Sequence, residues 1–179
     1  MINRLFRFLA IPLWACLAVC VMAQSPPALE EHKMLKLDEG VWNANVTMWR
    51  CPGTDPIHST AKETNTMLGE LWSVGTMESS YGGEPYVGQA VLGYDPVLKK
   101  YVGTWIDNLT PGITHMQGDY DAKTKTLTLF YPVTREGGTT QERKNVMVYK
   151  DKNTREFTAF IKRGEEWVRF IEMLYERIE

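Results

Sequence analysis

From Val41 to its C-terminus the chain repeats one pattern, short runs in which apolar and polar residues alternate. In Val41–Arg50, Trp42, Ala44, Val46 and Met48 fall on one side and Asn43, Asn45 and Thr47 on the other. A period of two belongs to a strand with one face buried. The pattern recurs roughly every ten to twelve residues with turn chemistry between the runs. It predicts further strands over Ser59–Leu68, Leu71–Ser79, Pro85–Tyr94, Lys100–Asn108, Thr114–Tyr120, Thr126–Tyr131, Glu142–Lys150, Glu156–Ile161 and Glu166–Arg177. Pro52-Gly53, Gly82-Gly83, Asp95-Pro96, Pro111-Gly112 and Gly137-Gly138 interrupt them, and the polar tips at 121–124 and 150–153 read as hairpins. So many short strands cannot lie open without exposing two unpaired edges. Closure into an antiparallel up-and-down barrel over residues 32–179 removes both. A two-sheet sandwich is the competing architecture, since strand count alone does not separate the two.

The N-terminal part is different. Arg4 and Arg7 precede an almost unbroken apolar run from Phe8 to Val21, and Val21-Met22-Ala23 offers a cleavage site. The run is 14 residues, against the roughly 20 needed to span a bilayer. Residues 1–23 are therefore expected to be a cleaved signal peptide, and the mature protein secreted or periplasmic with no membrane span. A retained anchor is one alternative. Lipidation at Cys20 is another, weakened by the bulky Val19 before it. Residues 24–31 read as a flexible mature start around Ser25-Pro26-Pro27, followed by one helical stretch, Glu30–Leu37, with Leu29, Met34 and Leu37 as its apolar side.

Processing would remove Cys16 and Cys20, leaving only Cys51 and no internal disulfide, so the core alone must hold the fold. The whole chain has 20 basic and 22 acidic residues; without the leader's two arginines 18 remain against 22, a net charge of −4. No basic patch marks nucleic acid as a partner.

Certain residues resemble the bacterial family known as domain of unknown function 1579. They are His32 to Leu35, Leu37, Gly40-Val41-Trp42, Leu68 to Trp72, Gly88, Leu92 to Pro96, Lys100 to Asp107, Gly118 to Asp121, Leu127 to Leu129 and Tyr175 to Arg177. The resemblance implies a calycin-type barrel, akin to lipocalins, and brings no activity or catalytic residues with it. Gly40-Val41-Trp42 is similar to the lipocalin G-x-W element, in which a late basic residue covers the Trp. Arg177, or else Arg169, is expected to do so here, a structural role.

Reactive constellations are scarce. No His/Cys cluster suits a metal, no G-x-S-x-G marks a nucleophile, the glycine pairs open no helix, and Cys51 has no marked histidine partner. No cofactor is implied, although a lone histidine such as His115 is chemically able to ligate haem. What stands out is a set of aromatic and polar residues: Trp72, Tyr86, Tyr94, Tyr101, Trp105, Asp107, His115 and Tyr120. Aromatic walls with a few polar groups are what small-molecule pockets are made of. The expected function is binding a small, partly apolar ligand inside the barrel. Two other classes stay open: an interaction module using the barrel exterior, and a hydrolase or isomerase pairing Asp107 or Glu78 with His115 at the mouth.

Overall fold

A computed structural model of the chain describes residues 27–51, 53–134 and 137–179. The expected signal peptide, residues 1–23, and residues 24–26 of the expected flexible start lie outside the described residues. Ten strands follow one helix: β1 (Gly40–Met48), β2 (Ile57–Leu68), β3 (Trp72–Tyr81), β4 (Glu84–Asp95), β5 (Lys100–Asp107), β6 (Thr114–Asp121), β7 (Thr126–Thr134), β8 (Thr140–Tyr149), β9 (Thr154–Arg163) and β10 (Glu166–Arg177). Each pairs antiparallel with the next, and β1 pairs with β10. The barrel is closed. The sandwich is excluded.

Because side chains alternate across a strand, the ladders fix which residues point inward. Trp42, Ala44 and Val46 lie opposite Arg177, Tyr175 and Met173, and the last two join the buried core with Ala61 and Met77. A bulge between Arg169 and Ile171 shifts the register of β10, and both Phe170 and Ile171 line the interior. That doubling is a usual product of a bulge.

The helix, Glu30–Leu37, is of the 3₁₀ type. Its residues three apart share a face, and His32, Leu35 and Asp38 are all buried, with Met34 beside them. Met34 and Leu37 pack inward as expected, but Leu29 is 41% exposed and the fully buried Leu35 takes its place. A 3.6-residue period misplaces a stretch that winds with three. The helix lies across one end of the barrel. There Tyr101 donates a hydrogen bond to the Glu31 carbonyl at 2.7 Å.

Candidate functional site

The helix end is a sealed floor. Trp42 donates from Nε1 to the Asp38 carbonyl at 2.8 Å, and two guanidinium groups lie over its ring, Arg177 at 4.0 Å and Arg155 at 4.3 Å. Gly40, at φ 120°, is required here, because any side chain would strike Arg177 and the Glu179 carbonyl. Arg155 is 1% exposed and bridges two carboxylates, Asp38 and Glu63, the latter at 2.7 Å. Tyr149 donates to Asp38 at 2.9 Å and Tyr175 to Glu63 at 2.7 Å. Burial raises the Asp38 carboxyl above its ordinary value against the pull of Arg155. It also lifts the Tyr149 and Tyr175 hydroxyls, helped by Asp38 and Glu63 respectively. Burial lowers Arg155, but Glu63 and Asp38 outweigh it and the guanidinium stays charged. The floor is a charge-paired polar network inside an apolar shell, with the Arg155 Nε left without a hydrogen-bond partner.

Above it the barrel is hollow. A cavity of about 410 Å³ is walled largely by apolar groups, among them Met77, Met116, Leu129, Met147, Phe157 and Met173. That volume falls within the range of small-molecule sites, roughly 300–1,000 Å³. Toward the open mouth stand Tyr86, Trp105 and Asp107. A Cβ at Gly88 would overlap the Trp105 indole, so the glycine makes room for that ring against the wall. Trp105 donates to Asp107 at 3.1 Å, and the other Asp107 oxygen accepts from the backbone of Leu109 and Thr110 at 2.9 and 2.8 Å. Asp107 thus also shapes the β5–β6 turn. Burial and then the Asp107 charge push Tyr86 up to about 12.

A second cation lines this half. Arg143 faces inward on β8, opposite Tyr131 on β7, with its guanidinium 5.3 Å from the Phe170 ring. Tyr131 donates to Asn145 at 3.2 Å. Its hydroxyl is raised by burial and drawn back down by Arg143. Beside it the wall opens sideways. The β6–β7 ladder runs only from Gln117–Phe130 to Asp121–Thr126, so Thr114 to Met116 pair with β5 alone. Through that split an outer groove bearing His115, Phe130 and Trp167 reaches Met116, Tyr131 and Arg143.

The aromatic set therefore divides three ways. Tyr86, Trp105 and Asp107 line the lumen. Tyr94, Tyr101 and Tyr120 lie instead under the helix, in an edge-to-face chain running from His32 to Tyr149; burial and then Glu31 raise Tyr101 to about 12. Trp72 and His115 are on the outer wall, with the Trp72 ring over Gly93. This corrects two expectations. Asp107 and His115 occupy opposite faces of the barrel wall, and exposed Glu78 sits three strands from His115, so neither acid/histidine pair is assembled. Nor does any described histidine line the lumen: His32 is buried and accepts from the Leu29 amide, and His58 contacts Thr47 outside. Among the described residues no group of three His, Cys, Asp or Glu is placed to hold a metal. Of the two arginines offered for Trp42, Arg177 covers it, while Arg169 lies over Trp49. Arg155, Glu63 and Arg143 went unnoticed in the sequence. Their signal was a charged residue in the same alternation phase as Phe157 and Ala159, as Ala61 and Asn65, or as Asn145 and Met147.

The family model described as "Protein of unknown function (DUF1579)" matches residues 27–177. No functionally curated protein matches the sequence. Among solved structures, Rv2717c from M. tuberculosis is similar in fold, with a TM-score of 0.59 at 13% identity, covering 86% of this chain and all of that one. The S-type phycobiliprotein lyase CPES from Guillardia theta aligns with a TM-score of 0.53 at 11% identity, over 84% of this chain and 94% of that one. At such identities the likeness is one of fold. Among the described residues no helix is long and apolar enough to cross a membrane.

Proposed function

The chain belongs to the DUF1579 family, and we propose that it is an exported, non-enzymatic barrel that binds a small, partly apolar molecule in its lumen. The observation that carries this reading is the cavity of about 410 Å³, mostly apolar, sealed at one end and open at the other. Such a chamber binds by removing apolar surface from water, worth roughly 25 cal/mol per Å², while polar groups near the mouth set orientation. The similar barrel of a phycobiliprotein lyase supports small-ligand binding as a use of this shape. Export rests on the leader-like sequence of residues 1–23. It predicts a mature protein beginning at Gln24, read from its intact mass.

Native mass spectrometry of protein purified from its own host tests the binding. The expected result is a co-purifying small molecule, lost when Ala90→Phe fills the lumen beside Trp105. An empty protein whose melting temperature no lipid or aromatic compound moves would contradict the reading.

A further inference from the structure

The lumen contains two arginines with opposite fates. Arg155 is neutralised by Asp38 and Glu63. Each keeps a buried Nε with no hydrogen-bond partner, but Arg143, unlike Arg155, also has no carboxylate within ion-pairing distance among the described residues. Two carboxylates line this half of the lumen or the groove beside it, and both are engaged elsewhere. Asp107 is held by Trp105 and its own turn, and Glu142 points outward to Lys162 at 2.7 Å. Arg143 is half-buried; a cation partly withdrawn from water without a counter-ion bears part of the desolvation cost, and an arriving anion offsets it.

We infer that the lumen ligand carries a carboxylate, which Arg143 receives beside the Tyr131 hydroxyl, while its apolar body lies against Met116, Met147 and Phe157. The inference rests on the lumen-binding reading and names the ligand's chemical class. A planar guanidinium fork takes a carboxylate with two parallel hydrogen bonds. The Phe170 ring over Arg143 holds that fork in place. The split between β6 and β7 opens directly at this residue, so an amphiphile entering sideways meets the charge first and then slides its apolar part inward.

The test compares matched probes by calorimetry: dodecanoate against 1-dodecanol, and 1-naphthoate against 1-naphthalenemethanol, which tells a chain from a ring. In at least one pair the acid is expected to bind about ten-fold or more tightly than its alcohol. Arg143→Gln should bring acid and alcohol to within about two-fold, with the alcohol unaffected, and Arg143→Lys should restore part of the preference. Thermal melts of both variants confirm folding. Acid and alcohol binding equally well to the native protein, or a preference that survives Arg143→Gln, would overturn the anion site and leave lumen binding standing. If neither member of either pair binds, the lumen reading falls and takes this one with it.

Discussion

The floor and the mouth half of this barrel are built from the same materials on the same inward face, yet they do different work. Each has an inward arginine, a tyrosine hydroxyl and an indole. At the floor every charge and hydroxyl is answered within the chain: Arg155 by two carboxylates, Tyr149 and Tyr175 by those same carboxylates, and the Trp42 indole by a backbone carbonyl and two guanidiniums. In the mouth half Arg143 meets an aromatic ring and a phenol, and empty space. Saturated polar groups specify a fold; unsaturated ones beside a cavity specify a ligand.

Substituting the two arginines breaks this contrast most sharply. Arg155→Met leaves buried Asp38 and half-buried Glu63 without their cation and should cost about 3–5 kcal/mol of unfolding free energy. Arg143→Met should change it by less than about 1 kcal/mol. Urea unfolding of both variants measures the difference, and equal losses would erase the distinction between floor and mouth.

Alkali should attack the floor next. Folded Tyr149 and Tyr175 keep their protons above pH 10, where the unfolded chain releases them. Stability is therefore complete below pH 10 and falls as the pH rises, by about 1.4 kcal/mol per unit for each. Tyrosinate absorbance should show both ionising only together with unfolding. A titration in which every tyrosine ionises while the barrel stays intact contradicts the sealed floor.

Trp105→Ala should cost less stability, about 1–2 kcal/mol for a ring that is only partly buried, but should weaken binding of any lumen ligand. Smallest of all, His115→Ala on the outer wall should shift stability by no more than about 0.5 kcal/mol and leave lumen binding unchanged. A large effect on binding would move the site to the outer groove.

How much of this was legible beforehand follows from the physics of alternation. All ten strands were, because period-two patterning and turn residues are local, and the two observed ends of β1 lie within two residues of those expected. So was Trp42 with Arg177, since the G-x-W element ties a local motif to one end of the barrel. The inward face of β5 was not. Tyr101, Gly103 and Trp105 alternate with Val102, Thr104 and Ile106, and apolar residues on both faces give no sign of which is inside. Parity is settled by cross-strand register, a long-range property: the pairing of Trp105 with Thr114 and of Thr104 with His115 puts the indole inside and the imidazole outside. The floor network was hidden for the same reason, its members coming from positions 38, 63, 149, 155 and 175.

Methionine methyl resonances test the chamber most directly, because methionines stand both in the lumen lining and away from it. Met77, Met116, Met147 and Met173 line the lumen; Met34, Met48 and Met67 do not. On titration with dodecanoate the first four should shift and the other three stay still. Shifts confined to Met34, Met48 and Met67, with the lumen set unmoved at saturation, would show that the cavity is not where this protein binds.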